Sequence, residues 1–209
     1  FLSGIFIACS QEETEASPIV EEEREGYEHP FMGESLEGGQ LLRRISLDLR
    51  GIPPSLGELE RIEEDPGELD SIIDEYLADS RHEEQLVSLF SEWLLSRVDE
   101  YNIDHRDYRL DDSLAFDFTR SVGEEPLRLM AHVAARDLPW TEVATGDYTM
   151  ANDILLGVWP VEEVAAGDGW RKARYTDGRP AGGVLMTNGL WWRYYTTPNN
   201  YSRTRAMAL

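Results

Sequence analysis

The chain has 209 residues, a formal net charge of −22 and a single cysteine. Its hydrophobic fraction of 41% is sufficient for one domain with a real core, and it excludes a fully disordered chain. One cysteine excludes an intramolecular disulfide framework and a cysteine-based zinc cluster. The negative charge argues against nucleic acid as the main partner, because phosphates repel such a surface.

The first ten residues, FLSGIFIACS, form a short apolar run that ends in a small residue and a cysteine. This pattern resembles the end of a bacterial lipoprotein signal peptide, in which the cysteine becomes the lipid-modified first residue. We therefore predict a partial signal segment at 1–9 with lipidation at Cys9, and place the protein in the cell envelope as a periplasmic or outer-membrane lipoprotein. The alternative is a short buried segment with an incidental cysteine.

An acidic segment follows the apolar run. Residues 10–30 contain eight glutamates and almost no apolar pattern, so they cannot bury enough surface to fold. We predict a disordered tether over 10–37, which would connect a lipid anchor to a folded domain over 38–209.

Helical spacing of apolar residues begins at Gly38, and the sequence GIPP at 51–54 predicts the end of the first helix. Ser55 and Glu58 have the spacing of a capping box, which predicts the start of the second helix. Pro66 and the glycine after it predict its end.

Two amphipathic helices are predicted next, at 69–77 and 82–98. The second has the strongest apolar pattern of the chain and places Leu89 and Trp93 in the core. The stretch at 99–112 is rich in aspartate and predicts a solvated loop. A calcium site is the alternative there, although the spacing matches no EF-hand.

The second half of the chain is also predicted to be helical. Pro126 suits the first turn of a helix, and Asp147 is placed to cap a helix that runs to Leu156. Residues 161–182 are glycine-rich and are predicted to be irregular. Further helices are predicted at 113–122, 126–136 and 183–195. With no strand alternation, the prediction is an all-α single orthogonal bundle of seven or eight helices.

Several segments together resemble a group of uncharacterised secreted bacterial domains. These domains are best known from planctomycete and myxobacterial proteins that often also carry c-type cytochrome domains. The matching segments are ISLDLRGIPPS at 45–55, IIDEYLADSR at 72–81, TGDYTMAN at 145–152 and GGVLMT at 182–187, continuing to Thr197, Asn199 and Ser202. The chain departs from the usual pattern at Arg203, where the family has proline, and at 206–207, where it has Arg-Gly. The resemblance implies an exported protein near an electron-transfer or degradation system, and it implies no mechanism.

Two sets of residues are candidate sites. The first is Asp147, Tyr148 and Asn152, which form either a polar site at a helix start or a helix cap with a buried amide. The second set combines aromatic rings with guanidinium groups, which can hold sugars, anionic polymers or a partner surface. Its members are Trp191, Trp192, Arg193, Tyr194, Tyr195, Tyr201, Arg203 and Arg205. Plain packing of the C-terminal arm is the alternative for the second set.

The charge distribution bears on the same region. Residues 171–209 carry seven basic residues and one acid, so this stretch is predicted to pack on the acidic helices or to bind an anionic partner. The four histidines have no metal-ligand spacing, and no Cys-x-x-Cys-His haem motif is present. No metal or cofactor is therefore predicted in this chain.

The leading hypothesis is a lipid-anchored, non-enzymatic binding or assembly module with a protein partner, for which a c-type cytochrome is one candidate. The alternative is a subunit or fragment of an exported oxidoreductase or degradative system whose redox centre lies elsewhere.

Overall fold

A computed structural model describes residues 35–97, 103–164 and 166–194. This part of the chain is mostly helical, as predicted, and contains eight α-helices and three short strands. In chain order they are α1 (Gly38–Arg50), α2 (Leu56–Glu64), α3 (Leu69–Ala78), α4 (Ser80–Leu94), α5 (Ala115–Ala135), α6 (Glu142–Thr145), β1 (Thr149–Ala151), α7 (Asp153–Val158), β2 (Val161–Glu163), β3 (Arg171–Tyr175) and α8 (Asn188–Arg193). The predicted lipidation residue Cys9 and most of the predicted tether lie outside the described residues.

Helices α1 to α3 form a small core of their own around Leu42, Ile62, Ile72 and Tyr76. The predicted start and end signals are confirmed here. Gly51 adopts a left-handed conformation with φ of 72° and closes α1, a conformation that glycine reaches without a Cβ penalty. The predicted capping box begins α2, with both reciprocal hydrogen bonds present.

Helix α4 buries one stripe of residues, Val87, Phe90 and Leu94, in the largest core cluster. The prediction that Leu89 and Trp93 belong to the core is wrong, because they are 57% and 59% exposed. They lie one turn apart on the other side of α4, away from the stripe that packs into this cluster.

Helix α5 is a single helix of 21 residues in place of the two predicted helices, and Pro126 lies in its interior. A proline there removes one backbone hydrogen bond, which normally breaks or kinks a helix. Tertiary packing outweighs that cost, because most residues on all sides of α5 from Phe118 to Ala131 are buried.

The prediction of a purely α-helical domain is wrong in one respect. Strands β1 and β2 both pair antiparallel with β3, which gives a sheet in the order β1-β3-β2. The register places Thr149 opposite Ala173 and Val161 opposite Tyr175. Two of these strands lie within 161–182, the stretch predicted to be irregular. The buried face of β3 contributes Ala173 and Tyr175 to a second core cluster with α5 and α7.

The final predicted helix is shorter than expected and is interrupted. A 3₁₀ turn at Gly183–Met186 precedes α8, and Thr187 in extended conformation separates the two. Leu190 on α8 is buried in the α4–α5 core. No helix among the described residues is both long and apolar enough to cross a bilayer.

Candidate functional site

A cavity of about 480 Å³ opens between the chain segment that follows β3 and helix α8. Its walls are mainly apolar, with one guanidinium group and one carboxamide. The lining residues are Arg179, Pro180, Ala181, Gly182, Leu185, Met186, Asn188 and Trp191. The volume lies in the range of about 300–1,000 Å³ that is typical of ligand sites.

Arg179 is held rigidly at the wall of this cavity. Its guanidinium lies 3.5 Å from the ring centroid of Tyr175 and forms a bidentate ion pair with Asp177, with an Nη2–Oδ2 distance of 2.6 Å. Nη1 also donates to the Met186 carbonyl at 2.6 Å and to Oδ1 of Asn188 at 3.2 Å. Because Asp177 neutralises the arginine, the cavity suits an apolar group better than an anion.

Behind the cavity, the fully buried carboxylate of Glu125 on α5 fixes the start of α8. One carboxylate oxygen accepts hydrogen bonds from the hydroxyls of Thr149, at 2.8 Å, and Tyr175. The other accepts from the backbone N–H groups of Asn188 and Gly189, at 3.0 and 3.3 Å. Glu125 thus joins α5 to β1, β3 and α8, and it positions Asn188 at the cavity wall.

Burial dominates the protonation equilibrium of this carboxylate. Loss of hydration raises the pKa of Glu125, against the opposing effect of its four hydrogen-bond donors. Burial and the adjacent carboxylate likewise raise the pKa of the Tyr175 phenol, so the phenol remains a hydrogen-bond donor.

The residues of the predicted aromatic and arginine set do not share one environment in the structure. Trp191 lines the cavity and is 46% exposed, and its Nε1 donates to the Leu185 carbonyl at 2.7 Å. Trp192 is also exposed. Arg193 and Tyr194 instead attach the end of α8 to the end of α4. The predicted residues Tyr195, Tyr201, Arg203 and Arg205 lie outside the described residues.

The attachment of α8 to α4 uses carbonyl groups at the end of α4. Nε of Arg193 donates to the Leu95 carbonyl at 2.7 Å, and the Tyr194 hydroxyl donates to the Leu94 carbonyl at 2.5 Å. These carbonyls lie in the last turn of a helix, where intrahelical donors are lacking. These two side chains therefore have a structural role, while the two tryptophans present exposed indole surface.

The predicted motif of Asp147, Tyr148 and Asn152 does not form one site. The prediction that Asp147 caps a helix is wrong, because this side chain is exposed and pairs with Arg174 at 2.9 Å. The helix begins six residues later, and Asn152 caps it by accepting a hydrogen bond from the Leu155 N–H at 3.1 Å. The amide of Asn152 also donates to Ser121 on α5 at 2.7 Å, so this side chain faces inward as predicted, but the cap is Asn152 itself and its partner lies on a helix and not in a loop.

Tyr148 is buried and packs among charged groups. Its hydroxyl donates to Glu142 at 2.7 Å, and Nζ of Lys172 lies 3.5 Å from its ring centroid. His132 contacts the same ring edge-on, with the ring centroids 5.8 Å apart. Burial and the charge of Arg136 lower the pKa of His132 to about 4, so this imidazole is neutral at pH 7.

The aspartate-rich stretch forms caps and ion pairs where the structure describes it. Asp104 and Asp111 cap two 3₁₀ turns, and His105 pairs with Asp112 at 2.8 Å. In the described ranges, no group of three or more His, Cys, Asp or Glu side chains is placed to hold a metal ion.

No local pattern in the sequence singles out Glu125 or Asn188. Glu125 follows another glutamate within an apolar helix, and such a pair gives no local signal that one of the two is buried. Of the cavity residues, Arg179 is the one that the sequence could have indicated. It stands in a Gly-Arg-Pro sequence, which favours a turn, and a turn fixes the direction of the side chain within it. Comparison with known proteins finds no matching family model, curated relative or solved structure.

Proposed function

We propose that this protein is an exported, lipid-anchored binding module that docks a protein partner through α8 and the cavity beside it. The observation that carries the proposal is a mainly apolar cavity with two exposed indoles, Trp191 and Trp192, on the helix that borders it. Large aromatic side chains next to a pocket are typical of the residues that dominate protein interfaces.

The chemistry of the cavity favours recognition of an apolar side chain. Leu185, Met186 and Pro180 supply apolar walls, while Arg179 is already engaged by Asp177. A partner segment that inserts one aliphatic side chain would gain about 25 cal/mol for each Å² of apolar surface removed from water.

The charge of the chain disfavours an acidic partner over most of its surface. The chain as a whole carries −22, but residues 171–209 hold seven basic residues and one acid. Among the described basic residues of this stretch, Arg171, Arg174 and Arg179 are paired with carboxylates of the chain itself, so an apolar contact rather than a charged one would orient the partner.

The remaining parts of the proposal rest on the sequence. The run that ends at Cys9 supports acylation, and the acidic residues after it support a tether at the periplasmic or outer-membrane surface. The resemblance to secreted domains that accompany c-type cytochromes supports such a cytochrome as a candidate partner. The orthogonal packing of the helices is likewise a proposal that rests on the sequence.

Site-specific photo-crosslinking in the native host tests the docking surface. A photoreactive amino acid at Leu185, which is 38% exposed, should crosslink to one defined protein. The matched control is Leu56 on α2, an exposed leucine far along the chain from the cavity. Equal labelling from both positions, or no crosslinked species from Leu185, would overturn the proposal. Haem absorbance in the crosslinked complex would identify a cytochrome as the partner.

The anchor has a separate test. Mass spectrometry of the native protein should detect an acylated cysteine at position 9 as the first residue. The native chain should also enter the detergent phase in phase partitioning. An unmodified thiol and recovery in the aqueous phase would rule out the anchor and leave the docking surface to be judged on its own result.

A further inference from the structure

A second pocket, of about 430 Å³, shares no lining residue with the cavity beside α8. It lies between the first half of α5, the start of α7 and the residues that lead into β3. Its lining combines arginines, carboxylates, the Asn152 amide and the indole of Trp170.

The centre of this region is the buried carboxylate of Glu124. It accepts hydrogen bonds from Arg120, at 2.8 Å, and from Nη2 of Arg128, at 2.8 Å, and Arg97 lies 3.1 Å away. Burial favours protonation of Glu124, but the three guanidinium groups outweigh it and hold its pKa below the ordinary value. Arg128 also forms an ion pair with Glu84. The Glu124 carboxylate and the Arg128 guanidinium are therefore both occupied by contacts within the protein.

Arg120 differs from the other two arginines. Among the described residues, Arg120 donates through Nε to Glu124, and none of them accepts a hydrogen bond from its Nη atoms. Its side chain is 47% exposed and lines the pocket. The outer edge of the guanidinium therefore presents parallel N–H donors that no described residue uses, and a ligand in the pocket can accept from them.

The pocket also contains hydrogen-bond acceptors, which two aspartates supply. Asp117 is exposed at the pocket lining, and Asp153 is largely exposed and holds Arg171 through one oxygen, at 2.7 Å. Two arginines and three carboxylates thus line the pocket, so it has no excess of positive charge. An anion would be repelled by the aspartates, and a cation would leave the Nη donors of Arg120 without an acceptor.

A hydroxyl group satisfies both sides, because it donates one hydrogen bond and accepts others. Trp170 adds an amphipathic ring at the wall, with Arg128 over the ring at 5.3 Å from its centroid. Indole rings pack well against ligands that combine C–H surfaces with polar edges. We propose that this pocket binds a neutral, hydroxyl-rich ligand of the pyranose sugar class, with Arg120 donating to hydroxyls and Asp117 accepting from them.

Ligand-observed saturation-transfer NMR on the full chain tests this inference. The probes are maltose, cellobiose, lactose and chitobiose at millimolar concentration, with inorganic phosphate as the anionic comparison. At least one disaccharide should receive saturation, and phosphate should not displace it. No transfer to any of the four sugars, or binding of phosphate in their place, would overturn the proposal.

Two variants locate the binding site. Arg120→Met and Asp117→Asn should each weaken sugar binding by about tenfold or more, because each removes charge-assisted hydrogen bonds. Arg44→Met and Asp48→Asn are the control variants, since Arg44 and Asp48 form an i,i+4 pair on α1 and line neither of the two pockets. Wild-type affinity in both pocket variants would contradict the proposal.

Protein stability must be measured alongside affinity. If Arg120→Met also lowers the melting temperature, Asp117→Asn becomes the deciding variant, because Asp117 is exposed. An unchanged melting temperature with weaker sugar binding in that variant supports the site. Unchanged sugar binding in that variant overturns the proposed site.

Discussion

Gly189 on α8 lies directly against the carbonyl oxygen of Val122 on α5, so that a Cβ at position 189 would overlap this oxygen and lie 2.8 Å from Pro126 Cδ. In a regular helix the Val122 carbonyl would accept the N–H of residue 126, but proline has none. Pro126 therefore leaves this carbonyl without its helical donor, and Gly189 packs against the same carbonyl. The two residues are parts of one contact between α5 and α8.

Gly189→Ala should destabilise the protein by more than about 2 kcal/mol, because the added methyl group meets backbone that cannot move away without separating α5 from α8. Chemical denaturation monitored by circular dichroism measures the effect. The matched control is Gly57→Ala on α2, where a Cβ would meet nothing within 4 Å. That variant should gain up to about 1 kcal/mol from higher helix propensity. Equal stability of the two variants would contradict the close contact.

Glu125→Gln should lower the free energy of unfolding by about 1–3 kcal/mol, because an amide offers one acceptor oxygen where the carboxylate offers two. Glu125→Ala should cost more, since it leaves the α8 N–H groups of Asn188 and Gly189 buried without an acceptor. Glu75→Gln, in an exposed pair with Arg61, is the control and should leave the denaturation midpoint unchanged. A wild-type midpoint for Glu125→Ala would refute the role assigned to this residue.

Asn152→Ala should destabilise the domain by about 1–2 kcal/mol, because it removes the N-cap of α7 together with the hydrogen bond to Ser121. Asp147→Ala, five positions earlier, should have little effect because it removes an exposed ion pair with Arg174. Thermal unfolding of the two variants in parallel checks the assignment. A larger loss for Asp147→Ala would favour the helix start expected from the sequence.

Stability should depend on pH through His132. Its pKa falls from 6.5 to about 4 in the fold, so the unfolded chain binds a proton at higher pH than the folded chain does. The contribution of His132 to stability is therefore complete above pH 6.5 and declines as the pH falls toward 4. Urea denaturation between pH 7 and pH 4.5 measures this decline.

His132→Phe should flatten the pH dependence in that window, because the ring contact with Tyr148 is kept and the titrating group is lost. The variant should also be at least as stable as the wild type at pH 7, since the buried Nδ1 of His132 has no hydrogen-bond partner among the residues that the structure describes. A variant with the same pH slope as the wild type would show that other groups cause the decline.

Local signals in the sequence predicted the first three helices well. Ser55, Glu58 and Gly51 act through hydrogen bonds and backbone conformations that span only a few residues, so their effect is visible in the sequence itself. The apolar spacing around Ile72 and Tyr76 likewise determines which side of α3 faces the core.

The parts that could not be predicted depend on contacts between distant residues. Pro126 indicates a helix start by local rules, and only the packing of α8 against that turn shows why the helix continues. Strand β3 has the sequence Arg-Lys-Ala-Arg-Tyr, and β1 and β2 have three residues each, so neither length nor alternation marks them as strands. The second pocket likewise combines Asp117 and Arg120 with Trp170, about fifty residues further along the chain.

The hydrogen bonds of Glu125 have a consequence for any attempt to shorten this chain. A fragment that ended before residue 188 would retain the glutamate deep inside the domain while discarding the two amide groups that hold one of its oxygens. Such a fragment should take up a proton or open to water at that point, so α8 belongs to the smallest unit able to fold and cannot be transplanted as an independent recognition peptide.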